Sequence, residues 1–532
     1  MYGVKGLYAT DTTLFFHLGG IEMHERICQR LAWTLAIVIA WGASATAWGQ
    51  QNPTQPSPAN MAYPAPSDVN RAAPADSTAQ GQFVSDNVNN DNASLAARVA
   101  DLEKTLKKID DKAKEDKKKA DSAPSVKVIG RLQYDCAAFS QNAASVAAAG
   151  DMKDGTEFRR ARIGVMGDAF QVVDYKIEMD FAGQSATGGT SSTTGPVYLQ
   201  QTLFKDVYIT VKELPIAGNV RVGKFYECLG LETQTSDNYV TFMERSLIGG
   251  GVGKIGDRKP GIMLFDWNEA ETMTWSAGAF AWMAGENPPT FPLNTIYDDA
   301  GGTAFDARWT WLPWYDEATD GAGYIHLGAN YSYRDIAELT AASSAAGYTR
   351  YSITQLPEAH LATNVVNTGN LADADRMNVF SPEFVFTDGP FSIQSEYMWI
   401  AMQRSDHADP TFDGGYVQAS YFLTGEHRPY IRKEGLIGRV IPFENFFRVR
   451  TEDGNVCTGK GAWEVGYRAS YLNLSNAGVT GGRVVDHTFG LTWYLNPYTK
   501  VLFNYVHSET TDRSTFARGI VDLVETRAMI NF

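Results

Sequence analysis

The stretch Trp463-Glu464-Val465-Gly466-Tyr467-Arg468-Ala469-Ser470-Tyr471 switches between apolar and polar side chains at almost every step. That is the period of an extended strand whose two faces meet different surroundings. Trp463, Val465, Tyr467, Ala469 and Tyr471 share one face, opposite Glu464, Arg468 and Ser470. The same period appears along the chain on both sides of this stretch. Tyr175, Ile177, Met179 and Phe181 alternate with Lys176, Glu178 and Asp180. Ile325, Leu327, Ala329, Tyr331 and Tyr333 alternate with His326, Asn330, Ser332 and Arg334, and Val417, Ala419, Tyr421 and Leu423 with Gln418 and Ser420. Phe489, Leu491, Trp493 and Leu495 alternate with Thr488, Gly490 and Thr492.

Soluble sheets alternate too, so three further features decide the environment. The polar face holds full charges, which suits a wet lumen. The apolar face ends in Trp and Tyr, as the interfacial girdles of membrane barrels do. The chain also stops on Arg527-Ala528-Met529-Ile530-Asn531-Phe532, an alternating strand with a terminal aromatic. These features predict an all-β fold, a transmembrane antiparallel β-barrel over residues 122–532. At roughly 25 residues per strand with its connection, about 400 residues make about 16 strands. A barrel of that size leaves an aqueous channel.

The N-terminal part reads differently. Met23 opens a segment with Arg26 and Arg30, followed by an apolar run from Leu31 to Trp41 and the small residues Ala45-Thr46-Ala47. This is the pattern of a secretory signal peptide within residues 1–47, with translation expected to begin at Met23. The apolar run is shorter than the roughly 20 residues a membrane-spanning helix needs. Residues 48–91 are rich in Pro, Ala, Gln and Asn and read as a disordered linker. Within residues 92–121, Leu95, Val99, Leu102, Leu106 and Ile109 follow the spacing of a short coiled-coil helix. A helix this short is marginal alone, so it points to an oligomer.

Composition excludes several function classes. The 532 residues hold 46 Lys and Arg against 61 Asp and Glu, a net charge of −15 that disfavours nucleic-acid binding. The eight histidines show no metal-ligand spacing, and neither a nucleophile elbow nor a phosphate-binding loop occurs. Cys136, Cys228 and Cys457 are widely spaced and suggest no disulfide framework. No enzyme, metal site or cofactor is expected.

Nine short segments stand in order along the barrel region. They begin at Gly130-Arg131-Leu132-Gln133-Tyr134-Asp135 and Phe158-Arg159-Arg160-Ala161-Arg162-Ile163-Gly164. They continue through Asp206-Val207-Tyr208, Val222-Gly223-Lys224-Phe225, Gly230-Leu231-Glu232 and Glu244-Arg245-Ser246. They end with Tyr421-Phe422-Leu423-Thr424-Gly425-Glu426, Gly461-Ala462-Trp463-Glu464 and Trp493-Tyr494-Leu495-Asn496-Pro497. In these segments the region resembles the phosphate-selective porins O and P. The resemblance implies a trimeric outer-membrane channel with basic residues at its constriction, here matched by Arg131, Arg159 and Arg160. Arg162, Asp206 and Ser236 complete the pore-lining candidates. Alternation places Arg131 on the face of Gln133 and Asp135, and Arg160 with Arg162. Arg159 has the opposite parity and reaches a lumen only from a strand end or a bulge. The competing structural role for these arginines is pairing with lumenal carboxylates such as Asp135, Glu178 and Asp180. Thr233 stands where phosphate-selective members carry a lysine.

The reading is a porin of the bacterial outer membrane, passing small solutes by passive diffusion with a bias toward anions such as phosphate or polyphosphate. Its expected partners are membrane lipid, two further copies in a homotrimer, and the barrel assembly machinery acting on the strand that ends in Phe532. The alternatives are a structural barrel that tethers the envelope through its coiled coil, and a secreted carbohydrate-binding β-sandwich.

Overall fold

The computed structural model describes residues 98–112, 114 and 124–532, apart from 183, 188–196, 201–202, 217, 250–251, 253–254, 284–300, 337–350, 451–453 and 514–515. The signal peptide and linker expected over 1–91, and most of the coiled-coil region 92–121, lie outside these residues. Residues 98–112 are helical, with Val99, Leu102, Leu106 and Ile109 all exposed.

Sixteen antiparallel strands form one closed barrel. They are β1 (Lys127–Gln141), β2 (Gly155–Ala169), β3 (Val173–Asp180), β4 (Leu203–Leu214), β5 (Gly218–Tyr226), β6 (Arg258–Trp267), β7 (Met273–Met283) and β8 (Gly301–Tyr315). Then follow β9 (Gly323–Asp335), β10 (Ala374–Asp388), β11 (Phe391–Arg404), β12 (Thr411–Phe422), β13 (Ala462–Asn476), β14 (Val479–Asn496), β15 (Thr499–Arg513) and β16 (Phe516–Asn531). Neighbours in sequence are neighbours in the wall, and β16 closes onto β1 from Arg131↔Asn531 to Gln141↔Val521. Closure removes every sheet edge, which a bilayer requires because no water is present to satisfy free backbone groups.

The side chains are arranged inside out relative to a soluble protein. Glu464, Arg468 and Ser470 of β13 are buried, while Val465 and Tyr467 are exposed; Thr488 of β14 is buried and Phe489 exposed. Ionised groups therefore face the interior and an apolar band faces outward. A single closed barrel with this polarity excludes the two-sheet sandwich.

Most connections on one rim are short, such as 170–172, 215–217, 389–390 and 497–498, and Phe532 ends there. On that rim Phe532 exchanges backbone hydrogen bonds with Gly130 at 3.0 Å each way. A Cβ at Gly130 would lie 2.4 Å from the Phe532 ring, so glycine lets the terminal aromatic lie across β1. The longer connections join strand ends on the opposite rim, and most described residues of one of them, 227–257, are buried. From the turn rim, residues 426–440 also enter the lumen, bringing the short hairpin Tyr430–Ile431 with Leu436–Ile437. The two segments meet where Arg428 donates to the Tyr239 carbonyl at 2.9 Å.

Candidate functional site

The inward segment 227–257 is tied to the wall at several points around the barrel. Arg334 of β9 donates both Nη atoms to Glu227, at 3.0 and 2.8 Å. Glu396 of β11 accepts from the backbone N–H groups of Leu231 and Glu232 at 2.7 and 2.9 Å, where the short helix α1 (Leu231–Gln234) begins. Arg468 of β13 bridges Glu232 and Glu358. Glu244 takes two hydrogen bonds from Arg159, at 2.9 and 3.0 Å, and one from Arg527 at 2.6 Å. Such paired, charge-assisted bonds hold geometry as well as charge.

Four guanidinium groups converge on one carboxylate of this segment, Asp237. Arg131 approaches it at 3.2 Å, Arg160 at 3.0 Å, Arg245 at 2.6 Å and Arg162 at 3.7 Å. Arg160 also donates to Gln133 at 2.7 Å, Arg162 to Asp180 at 2.7 Å, and Arg131 lies 3.8 Å from Glu178. Burial opposes ionisation of Asp237, but Arg160, Arg245, Arg131 and Arg162 outweigh it and hold the carboxyl well below the usual range. Glu244 is held down in the same way, against burial, by Arg159 and Arg527. The cluster is not saturated. Arg160 Nε and Arg162 Nη1 are buried and complete no hydrogen bond among the described residues: the first lies 3.0 Å from Asp237 but off line, and the second is 3.7 Å away, too far to donate. An unmade buried hydrogen bond costs about 1–3 kcal/mol. An incoming oxyanion offers the missing acceptors.

The sequence-derived candidates are not all alike in this geometry. Arg131, Arg160 and Arg162 share the Asp237 cluster. Arg159 is set apart: Gln133 pairs with Arg160 and Tyr134 with Phe158, which leaves Arg159 as the extra residue of a β-bulge. The bulge turns its side chain to Glu244 instead. Asp206 lies across the lumen wall, bound to Lys176 at 2.7 Å and to Arg258 at 2.7 Å. Ser236 accepts from the Asn238 backbone and lines the open chamber beside Asp237. Of the expected pairings, Arg162 with Asp180 and Arg131 with Glu178 form, while Asp135 pairs with Arg527. Thr233 is buried, donating to the Gly249 carbonyl at 3.2 Å within the segment itself. Sequence reasoning missed Asp237 and Arg245. Their signals were adjacency to Ser236 and membership of the Glu244-Arg245-Ser246 segment.

A chamber of about 440 Å³ opens beside the cluster toward the turn rim. Its walls include Arg131, Lys176, Asp206, Arg221, Ser236, Asp237, Arg258 and Lys433, together with the rings of Tyr208, Phe225, Phe265 and Trp267. Both cations and carboxylates line it.

A family model described as phosphate-selective porin O and P matches residues 126–532. Porin O of Pseudomonas aeruginosa is 28% identical over 419 residues, covering 74% of this chain and 85% of that protein. Among solved structures, the outer-membrane channel DcaP of Acinetobacter baumannii superposes with a TM-score of 0.43 at 12% identity, over 77% of this chain and 98% of that one. The anion-selective porin of Comamonas acidovorans gives 0.42 at 11% identity, over 77% and 100%.

Proposed function

This chain belongs to the phosphate-selective porin O and P family, as an outer-membrane porin, and we propose that it passes phosphate-like anions through the Asp237 arginine cluster. The reading rests on one observation above all. Two buried guanidinium nitrogens, Arg160 Nε and Arg162 Nη1, complete no hydrogen bond among the described residues, although the Asp237 carboxylate that four arginines surround lies 3.0 and 3.7 Å from them.

Asp237 is the resident anion of this site. It keeps the arginines ordered and stops them trapping a permeating ion, since a pore must bind firmly enough to admit and weakly enough to release. A phosphate entering from the chamber accepts from Arg160 Nε and Arg162 Nη1, and its remaining oxygens compete with Asp237 for Arg131 and Arg245. Guanidinium forks suit phosphate because they donate two parallel hydrogen bonds, which chloride cannot use. No covalent step is involved. Arg159 acts through Glu244, holding the inward segment rather than binding the ion. Asp206 orients Lys176 and Arg258 along the approach, and Ser236 offers a hydroxyl at its edge. The working unit is a homotrimer, in keeping with the family resemblance.

The test is the zero-current potential of the reconstituted protein across a potassium chloride gradient. An anion-selective sign is expected. A cation-selective sign would overturn the proposal, and no conductance at all would favour the structural, envelope-tethering barrel.

A further inference from the structure

Among the described residues, every lumenal arginine of the Asp237 and Glu244 groups has a carboxylate within ion-pair distance. Arg221 of β5 does not. It donates Nε to Thr210 at 3.0 Å, and no ion pair forms between it and any described residue. Its guanidinium is instead held by rings: it lies 4.1 Å from the Tyr208 centroid, 5.1 Å from Phe265 and 5.6 Å from Phe225. Tyr208 and Phe225 meet edge to face at 6.1 Å, which fixes the collar. On the same chamber wall, Lys433 sits 5.3 Å over the Trp267 ring.

We infer that this collar is a binding site for phosphate monoesters with an aromatic or heterocyclic body, set in the chamber between the arginine cluster and the turn rim. The inference rests on the anion-pore reading and names a substrate class for it. Three features lead there. A cation with no carboxylate within ion-pair distance, in a wall where the others have one, leaves donors for the ligand to engage; Glu434, the acidic chamber residue that feels its charge, forms no ion pair with it. Stacking occupies the faces of the guanidinium and leaves its Nη donors free for an oxyanion. Finally, 440 Å³ falls within the roughly 300–1,000 Å³ of small organic-ligand sites, far more than a bare tetrahedral ion fills. An inorganic ion gains nothing from four aromatic rings in a water-filled passage, whereas a planar organic body gains burial and stacking against them.

Adenosine monophosphate is the probe, tested for interruption of single-channel current in potassium chloride against inorganic phosphate and adenosine. Wild-type pores should be half-blocked at a concentration about tenfold lower for adenosine monophosphate than for phosphate, the scale of one base stacked on an aromatic ring. Adenosine alone should not block. Arg221→Ala should raise the adenosine monophosphate concentration about tenfold, with a smaller change for phosphate, and Arg221→Lys should restore part of the loss. Tyr208→Leu, which keeps the cation and removes its principal ring, should weaken the organic phosphate selectively. Equal block by both phosphates in wild-type pores would overturn the inference while leaving the anion pore intact. So would an Arg221→Ala or Tyr208→Leu pore with unchanged adenosine monophosphate block. A pore with no preference for anions would overturn both.

Discussion

Asp237 is the residue on which the charge balance of the arginine cluster turns. Replacing it with asparagine leaves Arg131, Arg160, Arg162 and Arg245 without their shared carboxylate. Removing one partner of a buried ion pair costs about 3–5 kcal/mol, because the charge left behind is uncompensated. Here an added anion can take the vacant place, and a ligand bound only by the folded state stabilises it by about 2.7 kcal/mol at a hundredfold excess over its Kd. The expected result is that Asp237→Asn lowers the melting temperature in low salt and that phosphate restores it. Wild-type stability should respond much less, as measured by thermal unfolding in detergent. The same cluster sets a pH dependence. The Asp237 and Glu244 carboxyls are depressed, so their contribution is fully present above the ordinary carboxylate range of about 4 and is lost only as pH falls through the lower folded values. Chloride selectivity should therefore hold from pH 7 down to about 4, checked by zero-current potentials. None of this pairing was legible in the sequence. Asp237 and Arg131 are 106 residues apart, and no periodicity links a loop carboxylate to a strand arginine.

At the scale of elements, the strands were readable because each alternates between two environments that differ sharply. The parity argument also carried to a single residue: a side chain of the wrong parity at Arg159 implied a bulge or strand end, and the register shift between Gln133 and Tyr134 supplies the bulge. The inward segments were not readable, since their buried residues, apolar ones such as Leu231, Phe242 and Leu247 beside ion-paired ones such as Glu227 and Asp237, follow neither the period of a strand nor that of a helix. Their anchors give a prediction. Glu227→Ala removes the carboxylate that binds both Nη atoms of the fully buried Arg334. The segment should loosen from the wall, seen as noisier single-channel current with a larger mean conductance, while heat-modifiable migration shows the barrel intact. The closing strand behaves oppositely. Deleting 516–532 strips β1 of its partner from Arg131 to Gln141, exposing backbone groups that each cost several kcal/mol in lipid. Heat-modifiable migration should disappear, and retention of the folded band would contradict the closure role of β16.

For the whole molecule, the barrel estimated at about 16 strands from length alone has sixteen, closed in sequence order. Net charge was a poor guide to the pore. A chain of charge −15 surrounds one lumenal carboxylate with four arginines, because net charge sums over every surface at once. The function follows from where charge is placed in a water-filled passage, not from how much there is. The most direct measurement is single-channel current in potassium chloride titrated with inorganic phosphate, on wild-type pores and on Arg131→Ala, Arg160→Ala pores. Phosphate should lower the wild-type current and saturate, and the double variant should need about tenfold more phosphate for the same effect, with chloride conductance less changed. Equal discrimination between phosphate and chloride with and without these two arginines would contradict an anion site at Asp237.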